Sequence, residues 1–184
     1  MAAGQGFVAV VGARVLPEAC APQVSAAVGF LLGRGWGIGS GGARGADAYA
    51  LGALVAAGGA ACARSVVFLP GAVPAQDRTL QAFVAHGGRV VPGPGRGRLA
   101  LLARSRRLAR EAAGVVAFLW GPSRGSVFTA RATRWAARSV IRRPPQLGQN
   151  PRPLHELSRA CDSCCCLELK TIWSFSREVR WRPA

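Results

Sequence analysis

Residues 39–47 are Gly39-Ser40-Gly41-Gly42-Ala43-Arg44-Gly45-Ala46-Asp47, a glycine-rich stretch between a short apolar run and an alanine-rich one. Trp36–Gly39 before it is typical of a short strand, and Ala46–Ala57 after it has helical spacing. Glycines let the backbone turn sharply and approach a ligand closely. The helix that follows points free amides and its positive dipole end at the same place. The stretch therefore predicts a strand–turn–helix unit with an anion-binding loop.

Two charged side chains in this loop are candidates for ligand binding. Arg44 can hold a phosphate through two parallel hydrogen bonds. Asp47 is one of four acidic residues among the first 141, and it falls in the first turn of the predicted helix. It either caps that helix or contacts a ribose hydroxyl, and the sequence leaves both roles open.

The alternation of strand-like and helix-like runs continues on both sides of the loop, over the first 141 residues. We predict further strands at Phe7–Val11, Ser65–Leu69, Arg89–Val91, Gly114–Leu119 and, at an edge, Ser139–Ile141. We predict further helices at Val24–Leu32, Thr79–Ala85, Leu99–Ala112 and Gly125–Ala137. Such alternation indicates βαβ units. The expected fold is α/β: a Rossmann-like, doubly wound, mainly parallel sheet with an irregular C-terminal tail.

The sequence changes character after residue 143, so we place a Rossmann-like domain at 1–143 and a tail rich in Pro, Arg and Cys at 144–184. The tail has no clear period, and no fold is assigned to it. Its Cys161–Cys166 run contains a CxxC spacing, but a structural zinc site needs a second pair and only His155 lies near. We therefore expect no metal and no cofactor.

The net charge of +16 favours an anionic partner, because excess positive charge attracts phosphate backbones. The arginines are clustered: residues 104–143 contain ten against the single acid Glu111. A GC-rich coding sequence, which enriches Arg, Ala, Gly and Pro, is the alternative explanation. No apolar run is long enough to span a membrane, and residues 1–7 do not resemble a signal peptide. We expect a cytoplasmic protein.

Two further turns should meet the glycine-rich loop, because ligands of doubly wound sheets bind at the carboxyl ends of the strands. One is Gly12-Ala13-Arg14, directly after the first strand. The other is Ser123-Arg124-Gly125-Ser126, with Thr129 one turn into the next helix. The hydroxyls of Ser126 and Thr129 can donate to a phosphate, although Ser126 can equally be an ordinary N-cap.

Four motifs occur in the order and approximate spacing of the SLOG superfamily. They are Val8-Ala9-Val10-Val11-Gly12-Ala13-Arg14, Ser40-Gly41-Gly42-Ala43-Arg44-Gly45-Ala46-Asp47, Arg104-Ser105-Arg106 and Arg124-Gly125-Ser126 with Thr129-Ala130. Over roughly residues 7–141 the chain resembles the DprA/Smf DNA-processing proteins and small nucleotide-binding SLOG proteins. The third motif departs from the family's usual Arg-Asn-Arg, and the chain is short for a full DprA with no convincing winged-helix tail.

The resemblance implies a Rossmann-like domain that binds a nucleotide or, in DNA processing, single-stranded DNA. It implies a site lined by Gly12, Arg14, Ser40, Gly41, Gly42, Arg44, Gly45, Asp47, Arg104, Arg106, Gly125, Ser126 and Thr129. Our hypothesis is non-catalytic binding of such a phosphate-bearing ligand, and it leaves a homodimer open.

Two alternatives stand beside it. One is an enzyme of the same superfamily that hydrolyses a nucleotide's N-glycosidic bond. It would need a carboxylate near the ribose, for which Asp47 is the candidate, and Pro70-Gly71-Ala72 does not continue into the PGGxGTxxE motif of such enzymes. The other is a truncated remnant without activity.

Overall fold

A seven-stranded sheet organises the chain, which is described from a computed structural model over residues 6–72, 77–95, 97–120, 128–129, 139–141 and 170–175. Its strands are β1 (Phe7–Gly12), β2 (Gly37–Ser40), β3 (Val66–Phe68), β4 (Arg89–Val91), β5 (Gly114–Leu119), β6 (Ser139–Ile141) and β7 (Lys170–Phe175). The helices in the described ranges are α1 (Ala21–Gly33), α2 (Ala46–Ala57), α3 (Gly59–Ala63), α4 (Arg78–Ala85) and α5 (Arg98–Glu111).

The strand order is β4-β3-β2-β1-β5-β7-β6. The five strands from β4 to β5 are all parallel, whereas β7 pairs antiparallel with both β5 and β6. The predicted Rossmann-like α/β fold with a mainly parallel sheet is therefore confirmed. Ser139–Ile141 is also an edge strand, as predicted.

Apolar periodicity explains the elements that the sequence predicted. All six residues of β1 are buried, as expected for a strand covered on both faces. In α1 the buried residues follow the 3.6-residue period, at Val24, Ala27, Val28 and Leu31. The start of α4 is fixed by Asp77, whose side chain accepts a hydrogen bond from the Leu80 amide at 3.0 Å.

The two faces of the sheet have separate cores. On one face Val8 and Val10 pack with the buried residues of α1, α2 and α4. On the other face Phe7, Ala9 and Val11 pack with residues that include Leu108 of α5. The connections change face between β4 and β5, and β5 lies beside β1. The strand order thus reverses at β1 and β5, and the crevice outside their carboxyl ends is where such folds bind ligands.

Two differences from the predicted elements appear. Helix α2 ends at Ala57, as predicted, but the short α3 follows directly after Gly58 and was not predicted. Strand β7 lies in the tail to which no fold was assigned. Of the helix predicted at Gly125–Ala137, only Phe128 and Thr129 fall within the described residues, and both are helical. In the described part of the chain, no helix has the length and apolar character needed to cross a bilayer.

Candidate functional site

The turn after β1 and the loop after β2 lie against each other at the carboxyl edge of the sheet. Gly45 has a φ of 72°, and a side chain there would collide with the carbonyl oxygen of Ala13. The Ala46 amide donates to the same oxygen at 3.3 Å. Only glycine allows this backbone conformation and this close approach together. The contact places Arg14 and Arg44, one from each turn, at the same edge.

The end of β5 joins the same junction. The Ala13 amide donates to the carbonyl of Phe118 at 2.8 Å. A Cβ on Gly12 would meet both that carbonyl oxygen and the Cβ of Ala46. The carboxyl ends of β1 and β5 and the start of α2 are therefore packed without space between them, which gives the site a rigid floor.

Asp47 takes a role that neither sequence interpretation gave it. Its Oδ2 accepts hydrogen bonds from the amides of Gly41 at 3.1 Å and Ala43 at 3.3 Å. Burial raises the pKa of the Asp47 carboxyl, while Arg104 and the nearby amides of Ala43, Gly41 and Gly12 oppose that rise. The residue does not cap α2, whose N-cap is Gly45 with no side-chain hydrogen bond. It instead holds the loop after β2 to the start of α2.

Arg104 reaches the same carboxylate from α5, on the other face of the sheet. Its Nη1 lies 3.9 Å from Asp47 Oδ2 and donates to the Gly41 carbonyl, and its side chain is only 10% exposed. Burial lowers the pKa of the guanidinium, Asp47 opposes that change, and the nearby charge of Arg14 adds to it. The Asp47–Arg104 pair therefore ties α5 to the loop after β2.

These contacts change the expected composition of the anion site. The amides of Gly41 and Ala43 point to Asp47, and the Gly42 amide donates to the buried Ser40 hydroxyl at 3.3 Å. Three amides of the glycine-rich loop are thus used inside the loop and do not face a ligand. The groups left facing outward are cationic side chains, Arg14 and Arg44, both exposed.

The other predicted site residues are placed as follows. Arg106 is exposed on α5, with its guanidinium carbon 5.9 Å from the ring centre of Phe128. Thr129 is buried rather than open to a ligand. Gly125 and Ser126 lie outside the described residues, as do Cys161–Cys166.

Sequence reasoning assigned Arg104 to the ligand and missed its pairing with Asp47. The small number of acidic residues could have indicated this ion pair, because a carboxylate in so basic a chain is expected to pair with a cationic side chain. Glu111 follows the same rule: it pairs with Arg107 at 2.8 Å on the exposed face of α5. In the described ranges, no group of three or more His, Cys, Asp or Glu side chains is arranged to hold a metal.

The model of the protein family described as DNA recombination-mediator protein A matches residues 2–163. No curated protein matches the chain. Among solved structures, DNA processing protein A of Helicobacter pylori, described with a single-stranded DNA binding mode, superposes with a TM-score of 0.56 at 19% identity. DNA processing protein A (DprA) of Streptococcus pneumoniae superposes with a TM-score of 0.55 at 24% identity.

The alignments cover 71% and 70% of this chain, which corresponds to only 61% and 47% of those two chains. At these identities the structural similarity establishes the fold. The family match spans most of the described sheet, but it ends before β7 begins at residue 170.

Proposed function

The chain belongs to the family of DNA recombination-mediator protein A, and from that premise we propose that it binds single-stranded DNA at the carboxyl edge of its sheet without catalysing a reaction. The observation that carries the proposal is the junction of two turns at this edge. The contact between Gly45 and Ala13 brings exposed Arg14 and Arg44 together above the buried Asp47–Arg104 pair.

The exposed arginines and the buried arginine have different roles in this proposal. Arg14 and Arg44 are exposed to water and form no ion pair with a carboxylate among the described side chains, so each can neutralise a phosphate. Arg104 is already bound to Asp47 and to the Gly41 carbonyl, so its role is to position the loop. We propose that Gly12, Ser40, Gly41, Gly42 and Gly45 shape the same loop, and that Arg106 adds a contact further along α5.

A preference for single strands has its own physical basis at this edge. Val15, the residue after Arg14, is 83% exposed. An unpaired base can lay its face on such an apolar side chain while the arginines hold the flanking phosphates. The bases of a duplex are stacked on each other and cannot make that contact. The net charge of +16 adds long-range attraction to any polyanion, with no selectivity of its own.

The hydrolase alternative gains no support from the geometry of its candidate carboxylate. Asp47 is buried and accepts two amide hydrogen bonds, so it has no accessible oxygen to offer a ribose or a water nucleophile. A general base must reach the atom from which it takes the proton. The proposal is therefore binding rather than glycosidic cleavage.

A salt titration with labelled oligonucleotides tests the proposal. We expect wild-type binding to single-stranded DNA to weaken steeply with salt, and Arg14→Ala/Arg44→Ala to weaken it about tenfold or more. The logarithmic salt slope should fall by about 1.4 in the double variant, because each lost phosphate contact removes about 0.7 for a single strand.

Arg64→Ala/Arg89→Ala is the matched control, since both arginines are exposed and lie at the amino ends of β3 and β4, on the opposite edge. This control variant removes the same amount of charge, and it should keep the wild-type affinity for the oligonucleotide and the wild-type salt slope. Equal losses in both double variants would mean that binding follows net charge rather than this site. Binding of mononucleotides such as ADP-ribose without binding of the oligonucleotide would replace DNA by a small nucleotide as the ligand.

A further inference from the structure

Strand β7 brings a segment beyond the family match into the sheet, next to its edge strand β6. The match ends at residue 163, whereas β7 occupies Lys170–Phe175 and lies between β5 and β6. Its register pairs Phe175 with Gly114 and Lys170 with Leu119. Because β7 runs antiparallel to β5, its first residue lies at the carboxyl edge of the sheet. That residue, Lys170, is the only lysine in the chain.

The backbone pairing gives the position of Lys170 relative to the DNA site. Gly12 pairs with Phe118, and Phe118 pairs with Thr171, so the ends of β1, β5 and β7 form one row. Neighbouring strands are about 4.8 Å apart, which puts Lys170 about 10 Å from the end of β1. This exceeds the Debye length of about 8 Å at physiological ionic strength, so Lys170 would act on a phosphate near it rather than on those held by Arg14. A single strand that lies along this edge passes both positions.

We propose that Lys170 provides an additional phosphate contact for single-stranded DNA, extending the path of the strand from the β1 turn across the end of β5 to β7. The inference rests on the function proposed above and adds to it a part of the chain outside the family match. Arg14, Arg44 and Lys170 then form one cationic row along the carboxyl edge, with contributions from three separate segments. Lysine suits this role, because it binds phosphate as a point charge without a fixed geometry.

The test compares the full-length Lys170→Ala variant with wild type in the same salt titration. We expect its logarithmic salt slope to be smaller by about 0.7, the loss of one phosphate contact. Arg89→Ala is the matched control, because it removes one positive charge from the amino end of β4 and should leave the slope unchanged. An unchanged slope in Lys170→Ala, with the loss in Arg14→Ala/Arg44→Ala present, overturns this inference and leaves the proposed function standing.

The single lysine permits a second measurement without any substitution. Acetylation of the Lys170 amine, followed by peptide mass spectrometry, should slow severalfold when the oligonucleotide is bound, and equal rates overturn the inference. Hydrogen exchange tests the placement itself: amides of residues 173–175 should be protected, since this part of β7 is paired with both β5 and β6. Rapid exchange there also overturns it. A wild-type protein that binds no single-stranded DNA overturns both proposals together.

Discussion

Substitution of Asp47 by alanine should be among the most destabilising single changes in the protein. It leaves the Arg104 guanidinium, whose side chain is 10% exposed, without its counter-ion, and it removes the acceptor of the Gly41 and Ala43 amides. Removing one partner of a buried ion pair costs about 3–5 kcal/mol. The total free energy of unfolding of a single domain is about 5–15 kcal/mol, so this substitution would remove a large share of the stability.

A double-mutant cycle in urea measures the pair itself. Asp47→Asn keeps the shape and one oxygen acceptor, and Arg104→Met keeps much of the apolar stem, so both variants should remain folded enough to titrate. We expect the double variant to lose less free energy of unfolding than the two single losses added together, by about 1–3 kcal/mol. The urea m-value should stay constant if the folded and unfolded states keep their exposed surface.

The ion pair between Arg107 and Glu111 is the internal control for this cycle. It has a shorter distance, 2.8 Å, but both side chains are substantially exposed and four residues apart on one helix. Such pairs contribute about 0.3–0.5 kcal/mol. Glu111→Gln should therefore change the stability by less than about 0.5 kcal/mol. Additive effects of Asp47→Asn and Arg104→Met, or a loss below about 1 kcal/mol for Asp47→Ala, would refute the role assigned to the buried pair.

Glycine substitutions test the packing of the site and of α5. Gly45→Ala should destabilise by several kcal/mol in urea unfolding, because φ is 72° and the new methyl group collides with the Ala13 carbonyl; a loss under 1 kcal/mol would contradict the tight junction. Gly39→Ala places a methyl group against the Phe7 ring on the α5 face and should cost about 1–3 kcal/mol. Gly29→Ala in α1, where nothing lies within 4 Å of the new methyl group, should instead stabilise the protein by about 0.4–1 kcal/mol in the same assay. Equal effects of Gly39→Ala and Gly29→Ala would show that the space around each glycine does not determine the result.

Local sequence was sufficient for the elements whose side chains repeat with a clear period. The apolar run of β1, the loop-to-helix transition into α2 and the amphipathic α5 were all predicted within a residue or two of their bounds. Each is specified by burial or by glycine, properties that belong to the residues themselves. The short α3 was missed because Gly58 and Gly59 normally end a helix, and here only Gly58 adopts a positive φ.

Strand β7 could not be predicted in the same way. Four of its six residues, Thr171, Ile172, Trp173 and Phe175, favour strands, but apolar and polar residues do not alternate along it, and its partner β5 lies more than fifty residues away in sequence. A strand in such a position is specified by an available partner edge, which exists only after the parallel strands have assembled. The place of Lys170 beside Leu119 follows from that register and from nothing in the tail sequence.

The sequence by itself determined the α/β fold, the glycine-rich loop and the presence of arginines after two of the strands. It could do so because periodicity, turn preferences and charge are local properties of the chain. Only the tertiary structure decided which of those charges face water. Asp47 and Arg104 are 57 positions apart and come from opposite faces of the sheet, and their pairing is set by how α5 packs. That packing buries one predicted ligand-binding arginine and leaves Arg14 and Arg44 exposed, because a buried cation is retained only where a counter-charge meets it.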